Sequence, residues 1–101
     1  NLHNLPDLDR ILSGAGGEVP KKIDLQYAVA TALVGRAIKL RDEGGLTEAL
    51  GHILDYANRF PQREMGVMLV SDLHHAIGER LFAVPQFGAW AKAIADVMLY
   101  E

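Results

Sequence analysis

The chain has 101 residues, half of them hydrophobic, with no cysteine and a formal net charge of −3. That length suits one domain rather than two, and the missing cysteines exclude disulfides, thiolate metal sites and cysteine nucleophiles, as in a cytoplasmic protein. The mild acidity argues against a dedicated nucleic-acid surface, which carries a concentrated basic footprint.

The N-terminus has no basic segment followed by an apolar run, so it does not read as a signal peptide. It begins at Asn1 rather than Met, which suggests a segment of a larger protein. Residues 1–5 carry little pattern. Pro6 then opens PDLDRIL, a short helix with proline at its first position and Asp7 and Asp9 in its first turn. Leu5, Leu8, Ile11 and Leu12 form its apolar stripe, and the glycines at 14, 16 and 17 end it.

Residues 24–41, DLQYAVATALVGRAIKLR, are apolar on nearly all sides. Such a helix is normally buried with others around it, and at about 18 residues it is roughly 27 Å long. Arg36, Lys39 and Arg41 end the run short of a membrane span. Asp24 is its expected N-cap and Gly44-Gly45 its stop. Thr47 is the expected N-cap of a third helix, with Leu46, Leu50, Ile53, Leu54, Ala57 and Phe60 inward and Glu48, His52, Asp55 and Arg59 outward. Pro61 separates it from a fourth, about 62–77, which buries Met65, Met68, Leu69, Leu73, Ala76 and Ile77. Gly66 inside that helix costs about 1 kcal/mol relative to alanine, which points to close packing there. Gly78 ends it, and a connector over 79–84 holds at most one helical turn. Pro85 opens the last helix, with Phe87, Trp90, Ala91, Ile94, Val97 and Met98 inward and Gln86, Lys92 and Asp96 outward. No window alternates with period two. The expectation is an all-α domain over 1–101, a compact bundle of about five helices around a buried central helix at about 24–41.

Chemistry-bearing clusters are few. Glu48, His52 and Asp55 share one helix face, but zinc usually takes three or four ligands and only one histidine is present; a solvated face explains them. His74 and His75 point about 100° apart, so they cannot easily face one ion, and histidines at a helix end suit the dipole. Ser71, Asp72 and His74 are too close in sequence on one helix to form a triad. The glycine run 14–17 lacks the Lys-Ser/Thr ending of a phosphate loop. Catalytic, cofactor and metal residues are therefore assigned to none of these. Arg59, Arg63, Glu64 and Arg80 are the candidate interaction surface, with Arg59 and Arg63 flanking Pro61 at a helix corner.

Five stretches, LPDLDRIL, LQYAVATALVGRA, YANRFPQREMGVMLVSDL, VPQFGAWAKAIADVML and the Gly/Pro loop after the first, together resemble the C-terminal segment of bacterial and phage-type MoxR-like AAA+ ATPases. The resemblance covers about residues 5–99 and includes no catalytic motif. It implies a non-catalytic accessory domain that acts in assembly or partner binding. Its partners would be the rest of its own chain and other subunits, and ATP and magnesium would belong to the remainder of the full-length protein. Two alternatives stand beside it. One is a stand-alone helical adaptor that dimerises through Phe87, Trp90 and Tyr100. The other is a nucleic-acid-binding domain using Lys21, Lys22, Arg36, Lys39 and Arg41, which the net charge disfavours.

Overall fold

Asp7 starts helix α1 (Leu8–Ser13) as its N-cap, its carboxylate accepting from the Asp9 amide at 3.0 Å. The computed structural model describes residues 5–99, and the side chains of residues 5–97. The expected contributions of Met98 and Tyr100 lie outside the described side chains. Four more α-helices follow: α2 (Ile23–Glu43), α3 (Leu46–Ala57), α4 (Arg63–Ile77) and α5 (Ala91–Leu99). Between α4 and α5 run two 3-10 helices, Gly78–Ala83 and Pro85–Trp90. The described residues contain no strand, so the all-α bundle of five helices is as expected.

Residues 24–41 do form one helix, but its burial differs from the expectation. Only Gln26, Val29, Ala30, Leu33 and Ala37 of α2 are buried, all on one face. Ile23, Tyr27 and Ile38 are exposed. The deeply buried helix is α3, where Leu46, Ala49, Leu50, Gly51, Ile53, Leu54, Tyr56 and Ala57 all lie inside. The reason is the order of packing: α3 touches α1, α2, α4 and both 3-10 helices, so it is enclosed on most sides. The run of small residues in α2 hid its sidedness, because alanine and threonine are tolerated on either face.

The helix starts shift from the expected caps. At α2 the N-cap is Lys22, and Asp24 lies in the first turn, where its charge still favours the helix dipole. At α3 it is Gly45 and not Thr47. Gly44 and Gly45 have φ of 105° and 85°, a left-handed backbone that glycine alone adopts without strain. This places the turn between α2 and α3. The segment expected to begin the last helix at Pro85 is instead a tighter 3-10 helix as far as Trp90. Gln86 on it is half-buried against Gly51 rather than outward, and Ala91 is exposed rather than inward.

The core is continuous from Ile11 of α1 to Ile94 of α5. Gly66 packs as its helix-interior position suggested. A Cβ there would lie 2.7 Å from the Ala57 carbonyl oxygen and 2.7 Å from Trp90 Cη2. Neither neighbour can swing aside as the tip of a long side chain can. Gly66→Ala is therefore expected to destabilise the chain by about 1–3 kcal/mol, despite alanine's better helix propensity. Gly35→Ala on the exposed side of α2, where a Cβ meets nothing within 4 Å, is expected to stabilise by about 0.5–1 kcal/mol. Urea midpoints of the two variants should move in opposite directions.

Candidate functional site

The α3–α4 corner around Pro61 carries three of the four candidate residues. Arg59 stands over the Tyr56 ring, 5.5 Å from its centroid. Arg63 lies closer, 3.7 Å above the Trp90 ring, and donates to Asn58 Oδ1 at 3.0 Å. Trp90 is fully buried, and the Arg63 guanidinium is one of the groups that cover it. Glu64 is exposed beside them. Arg80 is not part of this cluster. It lies beyond the other end of α4, where it donates to the Arg41 carbonyl, while Arg41 donates to the Ala76 carbonyl at 3.1 Å.

The glycine run is held rather than loose. Gly14 caps α1 and lies against the His52 imidazole, so that a Cβ there would come within 2.5 Å of the ring. The Tyr56 hydroxyl donates to the Glu18 carbonyl at 2.7 Å, and Gln26 Nε2 donates to the Pro20 carbonyl at 2.8 Å. His52, Asp55, Tyr56 and Arg59 line a small recess of about 100 Å³ against Gly14 and Gly16. Burial pushes the Tyr56 hydroxyl up to about 12, against a smaller opposing pull from Arg59. At the far end of α4, His74 lies against the exposed Phe82, with 5.3 Å between ring centroids. Among the described residues no three His, Cys, Asp or Glu side chains lie together as a metal-holding group.

The basic residues of α2 divide. Arg36 is paired with Asp9 of α1, and Arg41 is engaged with Asp42 and Ala76. Lys21, Lys22 and Lys39 are exposed. Phe87 and Trp90 are in the core, so these two side chains offer no surface for the expected dimer, and Tyr100 lies outside the described residues.

A surface that the sequence reading missed lies between α2 and α4. Ile23 and Tyr27 of α2, with Gln62, Glu64, Met65 and Met68 from the start of α4, form an open groove of about 310 Å³. The two helices run side by side in the same direction, since Tyr27 lines the same groove as Met65 and Met68 at one end and Arg41 donates to the Ala76 carbonyl at the other. The sequence reading places Met65 and Met68 in the core and Tyr27 in a helix buried on nearly all sides, and gives Ile23 no role. Met65 is buried as expected, whereas Met68 is only half-buried and Tyr27 is exposed. No protein-family model, curated protein or solved structure matches the chain. Among the described residues no helix is long and apolar enough to cross a membrane.

Two outcomes follow from this geometry. Arg63→Ala should uncover the one tryptophan of the chain and lower stability by about 0.5–2 kcal/mol; stronger acrylamide quenching of its fluorescence reads this directly, and Arg63→Lys should fall between. For Tyr56, a folded-state value above that of the free phenol means that the folded chain keeps its proton longer. Its contribution is fully present below about pH 10 and is lost as pH rises towards 12. Tyr56→Phe should flatten that alkaline fall in stability, measured by denaturant unfolding at a series of pH values.

Proposed function

We propose that the chain is a non-catalytic helical accessory domain of a MoxR-like AAA+ ATPase, acting in ring assembly or partner capture in the cytoplasm. The observation that carries this reading is the open apolar groove between α2 and α4, beside a core that is otherwise closed. Arginine and tyrosine side chains serve the chain itself: Arg36 grips α1, Arg63 covers Trp90, Arg80 ties the 3-10 helix to α2, and Tyr56 holds the Glu18 carbonyl. A groove of this kind suits a helix of another subunit, laid in through its apolar side chains. Glu64, on the groove, and Arg59, at the adjacent corner, supply a polar rim. In this reading ATP and magnesium are held by the remainder of the full-length chain.

The experiment compares the longest natural chain containing this sequence with the same chain lacking it. Nucleotide binding should persist on the longer chain and be absent from the 101-residue chain. Ring assembly or partner capture should change when the segment is removed. Unchanged assembly and unchanged capture would reject the proposal. A second reading, a stand-alone adaptor, is favoured by the same groove; it would lead if the natural protein proved to be this chain alone and bound no nucleotide.

A further inference from the structure

Ile23, Tyr27 and Ile38 remain 47%, 49% and 38% exposed and fall on a single face of α2. With Thr31 and Val34 between them, they occupy an arc of about 80° at 100° per residue. The stripe is about 22 Å long at 1.5 Å per residue. Along one edge it meets α4, where Met68 and Glu64 continue it. Along the other edge stand Asp24, Ala28, Gly35 and Lys39. Asp24 and Lys39 are both exposed, and neither has an ion-pair partner among the described residues.

We propose that this stripe is where a second copy of the chain docks, its α2 antiparallel to the first about a two-fold axis between Thr31 and Ala32. In an isologous contact, residues equidistant from the axis face each other. Asp24 then stands across from Lys39 of the second copy, and by symmetry the pair occurs twice. Ala28 faces Gly35 of the second copy, where the open space around Gly35 lets the two backbones approach. Beside this line, on the side towards α4, Ile23 and Tyr27 lie within about one turn of Ile38 and Val34 of the second copy and pack against them.

The order of charges selects this occupant and this orientation. Both α2 and α4 carry an acid in the first turn, Asp24 and Glu64. Arg41 is in the last turn of α2, and Lys39 lies just before it. Lys21 and Lys22 precede the first acid and Asp42 and Glu43 follow the last base, so neither end carries a single sign; on the exposed edge itself an antiparallel copy sets Asp24 against Lys39 of its mate. It also opposes the helix dipoles favourably. A parallel copy would set Asp24 against Asp24 and Lys39 against Lys39. The inference rests on the reading of the α2–α4 face as an interaction surface, and it does not depend on the ATPase resemblance.

Sedimentation equilibrium of the 101-residue chain tests it. The core closes within this chain from α1 to α5, and the substituted side chains are exposed, with far-UV circular dichroism checking that each variant folds. The expected result is a concentration-dependent dimer. Asp24→Lys or Lys39→Asp alone should weaken it about tenfold or more, since each places two like-charged pairs at the interface. An equimolar mixture of the two variants should associate again, because each supplies the sign that the other lacks, and the double variant should also recover. Tyr27→Ser should weaken association at low and high salt alike. A chain that stays monomeric up to about 1 mM, a dimer indifferent to these substitutions, or a mixture that fails to recover would overturn the proposal. A monomer here would not alter the deletion experiment on the longer chain, so the two readings fail separately.

Discussion

Trp90 reaches the centre of the molecule because Gly66 has no side chain. The indole edge and the Ala57 carbonyl occupy the space where a Cβ would stand, and this one close approach joins α3, α4 and the segment leading into α5. Dispersion contacts fall off steeply with separation, so a gap of half an ångström would forfeit a large share of the gain. The fit also has to offset a cost, since the indole Nε1 is buried without a hydrogen-bond partner among the described residues. A buried unpaired donor costs about 1–3 kcal/mol. The Arg63 guanidinium over the ring face compensates in part.

That contact also accounts for the 3-10 geometry before α5. A 3-10 helix rises about 2.0 Å per residue against 1.5 Å for an α-helix. Pro85–Trp90 therefore covers more distance with few residues and brings both Phe87 and Trp90 onto the core. An α-helix starting at Pro85 would turn the pair through a different angle. The sequence pattern PQFGAW does not distinguish the two forms, because both begin well with proline.

Much of the architecture could be read from residue order, and the places where reading failed have a common cause. Helix α3 was legible because its large apolar residues recur at helical spacing with charged residues opposite. The tight site at Gly66 was legible because glycine inside a helix is otherwise a loss. Helix α2 misled, since Ala28, Thr31, Ala32 and Gly35 suit either environment and give no contrast to the apolar stripe at Ile23, Tyr27 and Ile38. A stripe on the surface and a stripe in the core have the same period, and only the packing of other helices decides between them. Among the candidate arginines the sharing of the Pro61 corner by Arg59 and Arg63 was legible from their positions, whereas nothing in the sequence set Arg80 apart at the opposite end of α4. Function was the least legible part, because interaction surfaces are made of the same residues as cores and carry no chemical motif.

The segment between α1 and α2 is anchored through three carbonyl oxygens, those of Ala15, Glu18 and Pro20, gripped by Arg10, Tyr56 and Gln26. Every residue type has a carbonyl. Outside Gly14, Gly16 and Gly17, whose positive φ favours glycine, and Val19, which packs on the core, the side chains of the loop are therefore free to drift over evolutionary time while its path stays fixed. The remaining constraint falls on the three donors, all of which sit on helices outside the loop. A loop that looks like a spacer in composition is, in heritable terms, specified from outside itself.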